Sequence, residues 1–435
     1  MSRQLAVICL AAGLGKRTKV SLPKVLLPLC GRTLAATALA ATAPLQPART
    51  VVVLHHQKDK VQQSLQAACA GMFARLDFVD QGAPKGTGHA VQVAMQALSG
   101  FVGDVLVVYG DCPLITTATL QQLCELRGST ACSVLTAFPE DPTGLGRILR
   151  DDSGAFVGIR EHRDCSEEEL AIDEINAGFY CFDSEALRPA LQALQPNNAQ
   201  GELYLTDVVA GFAASGLEVP TLTADDAREI TGVNSLADLA IARALMQERI
   251  LLEHLGNGVM IIDPMATWID HGVTIGADTK ILPGSVIGVG CVIGRHCEVG
   301  PFAHLRVGTV MEDGAEVGNF VEVKKTRMGA GAKAKHLTYL GDATVGAKAN
   351  IGAGTITANY DGVHKHQTTI GTRAFIGSGS VLVAPTEIGD DAMTGAGAIV
   401  TRGSVIGQRE VWVGVPAKKL KLRELPPQKP TKENA

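Results

Sequence analysis

Residues 275–317 read IGADTK ILPGSV IGVGCV IGRHCE VGPFAH LRVGTV MEDGAE V, and cut into sixes they begin every block with an aliphatic: Ile275, Ile281, Ile287, Ile293, Val299, Leu305, Met311, Val317. The frame reaches Val323, slips by one residue to Met328, Ala334 and Leu340, and slips again to Val345 and Ile351. After a loop it resumes at Ile370, Ile376, Leu382, Ile388, Thr394, Val400 and Ile406. Four residues after the aliphatic stands a small residue (Thr279, Ser285, Cys291, Cys297, Ala303, Thr309, Ala315), and the residue just after the aliphatic is usually Gly. A sustained six-residue period is the signature of a parallel β-helix. Each hexapeptide makes one face of a triangular prism, so eighteen residues make one coil. The aliphatic fills the interior, the small residue fits the inner corner, and Gly permits the sharp turn and the close approach of the next coil.

The composition follows from that prism. Residues 256–414 hold 28 of the chain's 48 glycines, whereas 1–255 hold 20, and aromatics are only 4% because the narrow interior has no room for rings. Before residue 255 short apolar runs (Leu5 to Leu10, Thr50 to Leu54, Val105 to Tyr109, Cys132 to Phe138, Gly178 to Phe182) alternate with helical periods such as Lys60 to Ala70 and Ala90 to Leu98. Strand–helix alternation predicts an α/β, Rossmann-like domain around a mostly parallel sheet. Residues 234–255 read as one connecting amphipathic helix, stopped by Gly256-Asn257-Gly258. The expected division is 1–234, a linker helix over 235–257, the β-helix over 258–418, and a tail over 419–435.

A net charge of -5 gives no footprint for nucleic acid, and the one basic cluster, Lys418, Lys419, Lys421 and Arg423, reads as a solvated tail. No apolar run reaches the roughly 18 residues of a membrane span, and residues 5–14 lack a signal-cleavage pattern. Ten cysteines without CxxC or His–Cys metal spacing read as small buried hydrophobes in a reducing cytoplasm.

The strand Leu5 to Leu10 runs into Ala11-Ala12-Gly13-Leu14-Gly15-Lys16-Arg17, a small-residue turn at a strand's carboxyl end, where open α/β sheets bind phosphates. Lys24 adds a fixed cation, Gly86-Thr87-Gly88-His89-Ala90 makes a second tight turn into a helix, and Tyr109-Gly110-Asp111 closes a strand with a carboxylate suited to a divalent metal.

Leu10-Ala-Ala-Gly-x-Gly, Pro23-Lys-Val-Leu, Gly86-Thr-Gly-His-Ala, Tyr109-Gly-Asp, Gly144-Leu-Gly-Arg-Ile148, Glu174-Ile-Asn-Ala-Gly178, Asn197-Asn-Ala-Gln-Gly-Glu202 and Gly232-Val-Asn234 occur in one order. This set closely resembles the bacterial bifunctional N-acetylglucosamine-1-phosphate uridyltransferase/glucosamine-1-phosphate acetyltransferases, over about residues 4–418. The resemblance implies a sugar-1-phosphate nucleotidyltransferase domain and a left-handed β-helix that trimerises. It implies that Leu10, Ala11, Ala12, Gly13, Gln81, Gly86, Thr87, Tyr109 and Gly110 hold the uridine nucleotide. Lys24 would contact the phosphates, Arg17 the departing pyrophosphate, Asp111 and Asn234 Mg2+, and Gly146, Glu161 and Asn176 the N-acetyl sugar. One motif departs: the family's Gly-x-Gly-Thr-Arg-Met reads Gly13-Leu-Gly-Lys16-Arg17-Thr18 here.

In the β-helix, Arg306 and Lys324 occupy the slot after the aliphatic, where Gly is usual, eighteen residues apart. One coil apart on one face, two like charges would stack about 4.8 Å from each other and repel without an anion between them. The resemblance places glucosamine-1-phosphate on Arg306, Lys324, Tyr339, Asn350 and Lys365, and acetyl-CoA on Ala353, Asn359, Tyr360, Ser378 and Ala396. It makes His336 the general base, with UTP and acetyl-CoA as co-substrates. The family's coenzyme-contacting Arg near the end is missing, since this chain reads Val413-Gly414-Val415-Pro416. Lys418 and Lys419 are the expected replacements. Two other functions fit the same plan: a uridyltransferase whose β-helix is only structural, and a non-catalytic regulatory subunit.

Overall fold

The computed structural model describes residues 3–422 except Leu14, Asn197 and Ala199, together with all but the side chain of Lys16. Leu14 of the first glycine turn, Asn197 and Ala199 of their shared motif, and residues 423–435 of the expected tail, Arg423 included, lie outside the described residues. The chain forms two compact units, Met1–Met246 and Gln247–Ala435.

The first unit is built on a sheet in the order Thr221–Thr223, Cys132–Ala137, Ile175–Asp183, Asp104–Tyr109, Leu5–Leu10, Arg49–Leu54, Leu76–Asp80. Ile175–Asp183 runs antiparallel to both neighbours; the other pairings along this order are parallel. Leu5–Leu10 is apolar throughout because both its faces are covered. Val7 and Cys9 pack with Leu39, Leu65, Leu120 and Leu123 on one side, and Ala6, Ile8 and Leu10 with Val91, Leu187, Val208 and Phe212 on the other. Leu76–Asp80 and the hairpin Arg147–Arg150/Phe156–Arg160 are additional strands that charged residues hide from a hydrophobicity pattern. The helix expected from Ala90 starts at Thr87, directly after Gly86, and the connecting helix spans Leu236–Gly256. No helix among the described residues is long and apolar enough to cross a membrane.

The second unit is the parallel β-helix, left-handed, with its short strands stacked into three sheets. Ile281, Val299 and Val317 lie in register at eighteen-residue steps. The steps shorten to seventeen at Val317↔Ala334 and Ala334↔Ile351, and lengthen across the loop at Ile351↔Ile376. The framed aliphatics are buried, and so are the small corner residues, whose hydroxyls cap inner carbonyls: Thr279 donates to Gly294 O at 2.8 Å and Ser285 to Leu282 O at 2.7 Å.

All three breaks in the repeat fall on one edge of this prism, between the second and third faces. The first shortened corner joins Glu322–Lys324 to Arg327–Met328, the second joins Tyr339–Gly341 to Ala343–Val345, and the loop joins Ile356–Ala358 to Thr368–Ile370. The two shortened corners turn through Lys325 and Asp342, both at positive φ, and Asp342 N–H donates to Lys324 O at 3.0 Å.

Two expectations need correction. Lys418–Leu422 is not tail but a fully exposed strand, antiparallel to Glu410–Val413, with Lys419 Nζ held by Glu410 at 2.7 Å. The ten cysteines are free thiols, but Cys112, Cys124 and Cys165 are only half-buried.

Candidate functional site

The first constellation sits at the carboxyl ends of Leu5–Leu10 and Asp104–Tyr109, which are in register at Leu10↔Tyr109. Gly110 N–H donates to Leu10 O at 3.0 Å, so the two strand ends turn away from a common crevice. A cavity of about 280 Å³ there is lined by Leu10, Ala11, Ala12, Gly13, Lys24, Gln81, Gly86, Thr87, Tyr109 and Asp111. Val25, Pro84, Ala90 and Glu202 complete the lining without having been given a role from the sequence; Val25, Ala90 and Glu202 each belong to a quoted motif, and Pro84 to none. At Gly86, φ is +103° and a Cβ would lie 2.4 Å from Leu203 O. Only glycine lets the segment around Leu203 close on this turn. The Gln81 amide, buried, ties the turn by donating to Gly86 O at 3.0 Å.

Lys24 is 8% exposed, ion-pairs with Asp111 and donates to Asn234 Oδ1 at 2.9 Å. Asp111 and Asn234, 123 residues apart in sequence, are brought side by side because Val233 N–H donates to Asp111 O at 2.8 Å. Asp238 then accepts the N–H groups of Asn234 and Ser235, each at 2.8 Å, and Ser235 Oγ accepts Asp238 N–H at 3.1 Å, which caps the helix that follows. Burial would raise the Asp238 carboxyl, but these donors and the Arg17 guanidinium outweigh it and hold it below the usual carboxylate range. Arg17 is exposed on the short turn Lys16–Thr18.

Asp111 and Asn234 offer two hard oxygen donors with a cation already between them, the Lys24 ammonium. That donor set fits Mg2+, which takes few protein oxygens and completes its shell with phosphate and water.

Gly146, Glu161 and Asn176 meet beside this crevice. Asn176 N–H donates to Gly146 O at 2.8 Å, and a Cβ on Gly146 would lie 3.6 Å from Glu161 Oε2. The strand Ile175–Asp183 bulges between Asn176 and Tyr180. There Gly178 takes φ +84°, with Tyr109 against the place of its missing Cβ, and a bulge of this kind re-aims a side chain. Asn176 donates to Tyr180 Oη at 2.7 Å and accepts Gly178 N–H at 3.1 Å. Burial pushes the Glu161 carboxyl up against the opposing hydrogen bond from Thr206 Oγ1 at 3.3 Å. Glu161 also faces a cavity of about 930 Å³ shared with Tyr204 and Asp207.

The second constellation is on the irregular edge of the β-helix. Arg306 and Lys324 do occupy adjacent coils of one face, but Arg306 is paired with Glu322 at 2.7 Å. A second like-charge contact lies beside it: the Lys324 ammonium faces Lys365 from the loop, and this contact, ahead of burial and Arg306, lowers its pKa against the opposing charge of Asp342. Two convergent ammonium groups define an anion site. Tyr339 Oη and Asn359 Nδ2 would lie 2.4 Å and 2.7 Å from a Cβ on Gly341, so glycine there lets both approach. Asn359 is buried and donates to Asp342 Oδ2 at 2.5 Å, while Tyr360 is exposed. Gly341 and Asp342 went unmarked in the sequence, where only the frame slip pointed to them.

Asn350 is not with this group within one chain. It lies on another face, in register with Lys333 and Phe375. His336 sits on the edge between that face and the face of Tyr339, and a column runs from it: Gly354 N–H to His336 O at 3.3 Å, Gly379 N–H to Ala353 O at 2.7 Å, and Gly397 N–H to Ser378 O at 2.8 Å, with Ala396 beside Gly397. His336 and Ala353 also line a cavity of about 680 Å³ with Asn319, Phe320 and Leu337.

Comparison with known proteins meets this two-site architecture. Residues 7–207 match the MobA-like NTP transferase domain. The bifunctional protein GlmU of Synechococcus sp. (strain CC9605) is 44% identical over 92% of this chain and 94% of its own. The chain belongs to the bifunctional GlmU family. GlmU of Corynebacterium diphtheriae is 42% identical over 91% of this chain and 89% of its own, and that of Pelobacter propionicus 43% over 92% and 93%. These GlmU alignments cover more than nine-tenths of the chain and so run through both units.

Proposed function

We propose that the crevice of the first unit and the irregular edge of the β-helix are the two active sites of one enzyme making UDP-N-acetylglucosamine. It transfers acetyl from acetyl-CoA to glucosamine-1-phosphate, then uridyl from UTP to N-acetylglucosamine-1-phosphate, releasing pyrophosphate. The observation that carries this reading is the coexistence of two separate charged constellations in two compact units: Lys24 held between Asp111 and Asn234 at a strand-end crevice, and Lys324 facing Lys365 on the β-helix.

In the β-helix, Lys324, Lys365 and Arg306 hold the sugar phosphate, with Tyr339 and Asn350 on the amino sugar. His336 takes a proton from the 2-ammonium, the freed amine attacks the thioester carbonyl, the C–S bond breaks, and the coenzyme leaves as its thiol. Ala353, Ser378 and Ala396 line the coenzyme's path along the column, with Asn359 and Tyr360 at the acetyl end. Since Asn350 lies on a different face from Lys324 within one chain, and His336 with the Ala353–Ser378–Ala396 column on a different edge, a neighbouring copy completes the site and the working form is a homotrimer. In the first unit, Leu10 to Gly13, Gln81, Gly86, Thr87, Tyr109 and Gly110 seat the nucleotide, while Gly146, Glu161 and Asn176 seat the N-acetyl sugar. The sugar phosphate oxygen attacks the α-phosphorus in line as the bond to pyrophosphate breaks, and Lys24 and Arg17 stabilise the developing charge. Mg2+, held by Asp111 and Asn234, would neutralise charge on the triphosphate. The substrates are small molecules of the cytoplasm, where we place the enzyme.

A His336→Ala variant tests the division. It should lose acetyl transfer by about 100-fold or more, the range for a general base, and keep uridyl transfer; loss of both would refute two independent sites.

A further inference from the structure

The loop that interrupts the repeat carries Lys365, yet its own backbone ties are few: an isolated bridge Tyr360↔Lys365, Asp361 N–H to His364 O at 3.1 Å, and His366 N–H to Asn359 O at 2.8 Å. Side chains supply the rest. Asp361 Oδ1 accepts the N–H groups of Val363 at 2.9 Å and His364 at 2.7 Å. Its Oδ2 accepts His366 Nε2–H at 2.6 Å and pairs with Arg402 Nη2 at 3.4 Å, so that both side chains converge on one carboxylate. Arg402 stands on the same prism edge two coils further on, after the strand Ile399–Val400, and reaches back across the intervening coil. The side chains of His366 and Asp361 keep about a quarter of their surface open, on a loop that is itself exposed.

We propose that Asp361, His366 and Arg402 form a clamp that positions Lys365 opposite Lys324 and so sets the affinity of the β-helix site for the amino-sugar phosphate. Neighbouring side chains of a paired strand segment point to opposite sides. Holding His366 on Asp361, with Arg402 on the same carboxylate, therefore turns Lys365 the other way, toward Lys324. Holding two ammonium groups face to face before the anion arrives is unfavourable, and a loop free to move would relieve it by swinging Lys365 out. The clamp opposes that escape, so the phosphate meets a preformed pair of cations. Asp361, His366 and Arg402 touch neither reacting atom and act through Lys365. The proposal rests on the reading above that Lys365 holds the phosphate.

The test is steady-state acetyl transfer by the full-length protein carrying Arg402→Ala, Lys365→Ala, both, or Arg402→Lys. Arg402→Ala should raise KM for glucosamine-1-phosphate about fivefold, the upper range for a half-exposed ion pair, with kcat and KM for acetyl-CoA unchanged. Arg402→Lys should recover most of that loss. Lys365→Ala should raise the same KM further, and adding Arg402→Ala to it should change nothing more, because the clamp then has nothing to position. An Arg402→Ala effect of equal size in both backgrounds, or none beside a large Lys365→Ala effect, would overturn the clamp and leave the Lys365 reading standing. No effect of Lys365→Ala would sink that reading and the clamp with it.

Discussion

The post-aliphatic glycines of the β-helix are required by the next coil, and Gly346→Ala measures that requirement. A Cβ on Gly346 would lie 2.5 Å from Gly371 C and 2.5 Å from Thr372 N, both backbone atoms of the following coil, which cannot swing aside as a side chain can. The coils would have to part where Gly346 N–H donates to Ile370 O at 2.7 Å. Overpacking costs about 1–3 kcal/mol and a weakened ladder bond about 1 kcal/mol, so the loss should be about 3 kcal/mol. Gly290→Ala is the control: its φ is +69°, yet nothing lies within 4 Å of the added atom, so only backbone strain of about 1 kcal/mol applies. Both tryptophans, Trp268 and Trp412, lie in the second unit, so their fluorescence in urea follows the β-helix alone. With a slope of about 3 kcal/mol/M, the midpoint should fall by about 1 M for Gly346→Ala and about 0.3 M for Gly290→Ala, at one fixed protein concentration. A control variant as destabilised as Gly346→Ala, or more so, would refute the argument that coil contact dominates backbone strain.

Asp111→Asn should lower uridyl transfer by about 100-fold or more, as expected for loss of a charge-stabilising group, with acetyl transfer unchanged; parallel assays of the two half-reactions read this. Chelating Mg2+ should divide the same two activities in the same way. Burial raises the Glu161 carboxyl, so the stability of its neutral form is full below the unfolded value near 4.5 and is lost as pH rises through the raised value. Glu161→Gln should then make the first unit more stable at neutral pH by circular-dichroism melting, while KM for N-acetylglucosamine-1-phosphate rises about tenfold for a lost charged hydrogen bond. Glu410 goes the other way: Lys419, Trp412 and Gly407 N–H hold it down to about 2. Its contribution is present above pH 4.5 and disappears as pH falls through about 2, so the urea midpoints of wild type and Glu410→Gln should differ at pH 6 and converge at the acid end.

Much of the fold was written in local pattern. The alternation of buried aliphatic, glycine and small corner residue is set coil by coil, so Ile281, Val299 and Val317 could be aligned from sequence alone. The frame slips were visible too, but their meaning was not: only the three-faced register shows that both shortened corners and the loop stack on one edge and gather Lys324, Asp342 and Asn359. The site was legible where chemistry sits at a strand end, as at Asp111, and illegible where partners are remote. Nothing near Asp111 announces the Val233 bond that brings Asn234 beside it. The expected stack of Arg306 on Lys324 overlooked Glu322, two positions from Lys324 and directed at Arg306. Asn350, grouped with them by resemblance, belongs to another face because each hexapeptide step turns the chain by one side of the prism.

One assay bears most directly on bifunctionality. Purified protein is supplied with Mg2+, UTP, acetyl-CoA and glucosamine-1-phosphate, and UDP-N-acetylglucosamine, free coenzyme A thiol and pyrophosphate are measured together. The account predicts all three in equal amounts; nucleotide sugar formed only when N-acetylglucosamine-1-phosphate replaces glucosamine-1-phosphate would contradict it.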